Sequence, residues 1–302
     1  NNTIIGKRGQ TMWLVYSAVS AFFAGLIPVL GKKAVAETSA EFISFARNGC
    51  ALVFAMIVLL ISGDRPILHF PSLLFFGLAG ICELASWLFT FRLIDRCRLS
   101  VVAPLDKATV ATVFFLSYMS GVAAVGAQQL IASGVIVGGV LFILLFADSF
   151  CRDTETVFFL IAAHLFSALS PIFSRAGLMQ NRMSAYSGLF VRNLFGFIFA
   201  ALLFVLSIHR LWRFGVAADF HSLWKSAKTT MFSMASGLSG AVSWMFYYMA
   251  LTDGTVGTVQ AVAKLGFLVT LFFSRVIYKE KIGKKVLIGY GIILIGVLIL
   301  LF

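Results

Sequence analysis

Long apolar runs alternate with short polar breaks along the whole chain. A membrane span needs about 20 apolar residues. Ten such stretches can be marked, at 11–31, 41–62, 71–91, 99–120, 128–147, 156–175, 185–208, 229–251, 257–278 and 286–302. Within each, the apolar residues run continuously rather than alternating, which predicts helices and not the strands of a barrel. The fourth and ninth stretches carry internal polar residues, Asp106 and Lys107 in one, Gln260 and Lys264 in the other. Both are expected to bend, because irregular backbone at membrane depth is tolerated where it lines a cavity.

The ten stretches divide into two sets of five. AFFAGLIPVLGKKA at 21–34 resembles HLFSALSPIFSRAG at 164–177, aligning Pro28 with Pro171 and Lys32 with Arg175. FARNGCALVFA at 45–55 resembles FVRNLFGFIFA at 190–200, aligning Arg47-Asn48 with Arg192-Asn193. From the third stretch onward the offset is 157 residues (264 minus 107). It aligns Ser86 with Ser243, Trp87 with Trp244, Lys107 with Lys264, Gly134 with Gly291 and Gly139 with Gly296. Five spans is an odd number, so the second copy enters the membrane upside down relative to the first. The expected fold class is an all-α polytopic membrane protein, ten transmembrane helices as two inverted five-helix repeats. The expected domains are 11–147 and 156–302. Inverted repeats with a site near the midplane are a transporter architecture.

Composition agrees. Of 302 residues 60% are hydrophobic, mean hydropathy is +0.99, and only 12% are charged. Soluble domains carry about 25% charged residues. No polar run is long enough for a separate soluble domain. The net charge of +12 is read as basic loops beside anionic headgroups rather than as a nucleic-acid surface. No cleavable leader is expected, since the first apolar run lacks a small-residue cleavage site and further spans follow it. The absence of an initiator Met suggests that a few residues precede Asn1. Cys50, Cys82, Cys97 and Cys151 show no CxxC or metal spacing. There is no nucleotide-binding glycine loop, histidine-carboxylate cluster or nucleophile elbow. Neither an enzyme nor a cofactor or metal is expected.

With these residues in view, the chain resembles the drug/metabolite transporter superfamily, EamA type. The resemblance rests on the paired five-helix units, the early proline of each first helix, and the Arg-Asn of each second helix. It also rests on the tryptophan-bearing third helix and on YKEKIGKKVLIGYGIILIGVLIL at 278–300, a glutamate-containing turn before a glycine-rich last helix. The first copy departs here, since 118–134 has no matching glutamate. The resemblance implies alternating access around a central cavity, small organic solutes and both termini in the cytoplasm. A bacterial inner membrane is the expected location. Loop charge points the other way for the termini, with 14 Lys or Arg on the loops after odd-numbered helices against five on the terminal side.

Several side chains are candidates for the work of such a protein. Glu83, Ser86, Trp87 and Thr90 recur at i, i+3, i+4 and i+7 and share one helix face. In the second copy that face reads Gly240, Ser243, Trp244 and Tyr247. It is either a pocket wall or a helix-packing surface. Glu83 lies deep in a span, as the carrier of a coupling proton or as an ion-paired structural acid. Lys107 and Lys264 either meet an anionic solute group or bond to Asp106 or to carbonyls at a helix break. Residues at i and i+1 do not face one another on a helix, so Asp106 is not expected to neutralise Lys107. Gln260 lies one turn before Lys264. Distantly related sugar-phosphate translocators are similar in using basic residues on the corresponding helices. Arg47 and Arg192 either snorkel or close a gate across the repeat. His164 either relays protons or packs. Gly134-x-x-x-Gly138 allows close helix approach.

The combined reading is a secondary transporter of small polar metabolites, by preference an exporter of amino-acid-like solutes. The alternative is an exchanger of anionic or phosphorylated metabolites using Lys107 and Lys264, and a third reading is a non-transporting membrane subunit. The expected partners are a small-molecule solute, a proton and the lipid bilayer, without nucleic acid. No feature sets an oligomeric state.

Overall fold

The computed structural model describes residues 2–64, 69–119, 126–147, 153–180, 183–213, 227–254 and 256–301. Cys151 lies outside them, as do Arg65, Arg152, Arg182 and Lys225, four of the basic residues in the loop-charge count. The described residues form helices joined by short turns, with no strand among them. This is what lipid imposes on continuous apolar runs, since only a helix satisfies its own backbone there.

In chain order the helices are α1 (Asn2–Val35), α2 (Ala40–Ser62), α3 (Phe70–Arg96), α4 (Leu99–Leu105), α5 (Thr109–Met119) and α6 (Ala127–Phe146). They continue as α7 (Thr154–Met179), α8 (Ala185–Arg213), α9 (Ala227–Asp253), α10 (Val256–Lys264), α11 (Gly266–Ile277) and α12 (Lys284–Leu301). Among the described residues, nine segments are long and apolar enough to cross a membrane. The remaining expected span, 229–251, falls inside α9, a 27-residue helix whose Ser, Thr and Gly content lowers its hydropathy. Ser39 opens α2 by accepting the Phe42 amide at 3.2 Å, and its counterpart Ser184 accepts the Ser187 amide at 3.1 Å at the start of α8. Asp153 opens α7, accepting the Thr156 amide at 3.0 Å and hydroxyl at 2.7 Å. Those bonds hold its carboxyl below the ordinary carboxylate range.

The expected bends are full interruptions. A 3-10 turn, Asp106–Ala108, separates α4 from α5, and Leu265 alone separates α10 from α11. At the 157-residue offset the two breaks coincide, with Lys107 in one and Lys264 at the edge of the other. Pro104 contributes to the first, since proline removes an amide donor and crowds the preceding turn.

The helices pack into two compact units. One contains Asn1–Leu26, Cys97–Arg152 and Val242–Phe302, the other Ile27–Arg96 and Asp153–Ala241. Each draws helices from both sequence repeats. We call them the lysine unit and the arginine unit after their buried cations.

In the arginine unit α3 packs on α7 and α8, and α2 on α8. Gly80 lies against the Arg192 carbonyl and Gly237 against the Arg47 carbonyl, so any side chain there would strike backbone. Gly80 and Gly237 are repeat-mates, as are Arg192 and Arg47. The hydroxyl bonds follow the same rule. Ser170 donates to the Ala79 carbonyl and Ser236 to the Ile27 carbonyl, both at 3.0 Å. Ser86 donates to Ala163 at 3.1 Å, and within the lysine unit its mate Ser243 donates to Ser20 at 2.9 Å.

In the lysine unit α6 packs on α12. A Cβ on Gly139 would meet Ile293 at 2.8 Å and the Gly289 carbonyl at 3.0 Å. On its mate Gly296 it would meet Ile136 at 2.6 Å and the Ala132 carbonyl at 3.0 Å. Gly134 and Gly138 have nothing within 4 Å of such a Cβ. The expected role for that glycine pair is therefore corrected: close approach belongs to Gly139 and Gly296. Spacing identifies a helix face but not the neighbour that face meets. Contacts that repeat with both partners exchanged for their mates are what a two-fold axis generates. The fold is all-α and polytopic, with two repeats of opposite orientation.

Candidate functional site

The arginine unit buries one carboxylate between two cations. Glu83 and Trp87 sit one turn apart on α3, so they share a face. The Trp87 indole donates to Glu83 Oε1 at 2.8 Å. Arg192 Nη2 stands 3.0 Å from Glu83 Oε2, and Arg47 Nη2 stands 3.6 Å from Oε1. The Arg47 guanidinium also lies over the Trp87 ring, 4.4 Å from its centroid, a cation–π contact. The arginine side chains are 6% and 3% exposed and that of Glu83 is 16% exposed. Neither arginine snorkels, because a carboxylate at hand lets a guanidinium stay inside. The repeat-mate of Glu83 is Gly240. A Cβ there would lie 3.1 Å from Arg47 Nη2. The duplication thus keeps both arginines and one of the two possible acids.

The other members of the predicted face turn to packing. Ser86 spends its hydroxyl on α7, and Thr90 donates to the Ser86 carbonyl of its own helix at 2.8 Å. His164 is half-buried on α7, next to the Ala163 that receives Ser86.

The lysine unit repeats the charge pattern at the two helix breaks. Lys264 Nζ lies 2.9 Å and Lys107 Nζ 3.3 Å from the same Asp106 oxygen, Oδ2. The expectation that Asp106 would not neutralise Lys107 is overturned. The i, i+1 rule holds for side chains standing off a regular helix, whereas Lys107 sits in a 3-10 turn and its long stem folds back. The repeat-mate of Asp106 is Ala263, so one acid again serves two repeat-related cations. Here the acid is the accessible member: the Asp106 side chain is 42% exposed against 13% for each lysine. In the same unit the Tyr247 hydroxyl donates to Gln260 Oε1 at 2.7 Å, one turn before Lys264 on α10. Trp244 stands edge-on to Tyr247 and Tyr248, with ring centroids 5.0 and 5.6 Å away. Two lysines at broken helices, with an accessible acid and a nearby amide and phenol, can bind a small solute carrying both charges.

Sequence reasoning gave Glu280 no role. Its two oxygens accept the Leu99 amide at 3.1 Å and the Ser100 amide at 2.9 Å, capping α4. The signal was its place in a charged turn before the last helix.

Three comparisons bear on what this arrangement serves. The model of the EamA-like transporter family matches residues 11–145 and again 154–302. A Sinorhizobium sp. protein described as an uncharacterized transporter in the cobO 3' region is 34% identical over 104 residues, 33% of this chain and 74% of that protein. A solved structure, titled only as the crystal structure of a protein, superposes with a TM-score of 0.70 at 14% identity, covering 96% of both chains. The last is a likeness of fold alone.

Proposed function

The chain belongs to the EamA-like transporter family, and we propose that it is a secondary transporter of small polar solutes bearing a carboxylate, amino-acid-like metabolites first among them, exported by alternating access. As an integral multi-pass membrane protein it fits a bacterial inner membrane, in keeping with its Sinorhizobium relative.

One observation carries the substrate class. Lys107 and Lys264 share the accessible acid Asp106 at two coincident helix breaks. Transporters characteristically place their solute and ion sites at such discontinuities. A zwitterion supplies a carboxylate for the lysines and an ammonium for Asp106, so its binding replaces one set of ion pairs by another and strands no charge. Trp244, Tyr247 and Gln260 are proposed as the wall that orients it. Trp87, also expected as a solute contact, is taken up by Glu83 and Arg47. Arg47 and Arg192 take a gating role, developed below. The driving force is the solute's own gradient or a proton gradient, with Glu83 and His164 as the titratable candidates within the spans.

Thermal stabilisation of purified protein by amino acids, by their carboxamides and by simple amines tests this. Lys264→Met is expected to weaken binding of the acids about tenfold or more while leaving the carboxamides little changed, as loss of a charge-assisted contact implies. Unchanged binding of the acids would remove the lysines from the site. The charge count, two cations to one acid, favours a second reading in which the solute is a phosphorylated anion. Stabilisation by sugar phosphates but not by amino acids would select it.

A further inference from the structure

Glu83 has no carboxylate as its repeat-mate. In an inverted repeat the two facing states are related by exchanging the conformations of the two copies. A contact made by one residue in the first state is made by its repeat-mate in the second. Arg47 and Arg192 are such mates, but the mate of Glu83 is Gly240. Both states must therefore draw on one carboxylate.

We propose that Glu83 is a shared counter-ion, held by Arg192 in the state seen here and passed to Arg47 when the transporter faces the other side. The distances describe one end of that exchange, with Arg192 in direct contact at 3.0 Å and Arg47 at 3.6 Å. Arg47 meanwhile rests on the Trp87 ring at 4.4 Å. Trp87 thus does two things: its indole steadies Glu83 and its face holds the waiting cation. Because both arginines are within reach at once, the carboxylate moves between them without crossing a gap in which it is bare. A second carboxylate at position 240 would give each arginine a permanent partner and remove the need to exchange. Glycine at 240 is what keeps the acid scarce.

The test needs no solute, so its outcome is independent of the substrate proposed above. Paired labels at the two membrane faces, read by single-molecule energy transfer in proteoliposomes, report the populations and interconversion rate of the two states. Arg192→Lys and Arg47→Lys each keep the charge but lose the forked geometry. Arg192→Lys is expected to deplete the present state and Arg47→Lys to enrich it, each about fivefold or more. Gly240→Glu is expected to slow interconversion about tenfold or more, within the range of such coupling. The Cβ at 240 needs only a slight yield from Arg47 Nη2, at 3.1 Å. A merely structural cluster would move both lysine variants the same way or not at all, and that result overturns the proposal. Wild-type interconversion in folded Gly240→Glu also overturns it. If that variant does not fold, the two lysine variants decide alone.

Discussion

The two buried charge clusters obey the same arithmetic in different surroundings. In each, a pair of repeat-related cations shares one acid from the first copy, and the acid's own mate is a small residue: Gly240 for Glu83, Ala263 for Asp106. In the arginine unit the three charges stand on unbroken helices and are nearly excluded from solvent. In the lysine unit they stand at breaks in both helices, and the acid is open. Duplication supplied the paired cations. The loss or gain of one acid made each pair unequal, and backbone continuity separates a cluster closed to solvent from one suited to holding a solute.

The largest effect expected from this contrast is on stability. Glu83→Gln leaves two buried guanidiniums uncompensated, which should cost about 3–5 kcal/mol. Asp106→Asn removes a more exposed acid, 42% against 16% for Glu83, and should cost less. Thermal unfolding in detergent measures both, and equal losses would mean that exposure does not distinguish the clusters. A smaller effect, on function alone, is expected of Ala263→Asp. By giving each lysine its own acid it should weaken binding of acidic solutes about tenfold with little change in melting temperature. Undiminished affinity would show that scarcity of the acid is irrelevant at the breaks. The smallest effect lies outside either cluster. Folding lowers the carboxyl pKa of Asp153, so its stabilising contribution is present above the unfolded carboxyl pKa and is lost as pH falls through the lowered folded value. Asp153→Asn should slightly lower the melting temperature at neutral pH and flatten its decline into acid. An unchanged acid limb would deny the cap that role.

Much of the fold was legible because lipid leaves an apolar run few options. The ten runs, their pairing into copies and the weak points at Asp106-Lys107 and Lys264 all follow from order along the chain. What the chain order hid was convergence. Asp106 reaches Lys264 across 158 positions, and Glu83 reaches Arg47 across 36 and Arg192 across 109. Reasoning confined to a turn of one helix sees none of this. For Ser86 the packing alternative is the one realised: it shares a face with Glu83 and Trp87, and its hydroxyl is spent on a neighbouring carbonyl. The clue available was the alignment itself. At Glu83/Gly240 and at Asp106/Ala263 a carboxylate inside a span faced a small residue in the other copy, and there one acid was left to serve two bases.

The cap that Glu280 places on α4 bears on how the protein is made. The amides of Leu99 and Ser100 wait for a carboxylate about 180 residues downstream. Every passage between them is made before that side chain emerges. Until then the broken fourth passage, with Lys107 and Asp106 at its fracture, sits in the membrane without that cap. The first repeat can be inserted early, but its fourth passage gains its cap only from the turn before α12. A fragment ending before that turn would lack the cap however well its own spans insert.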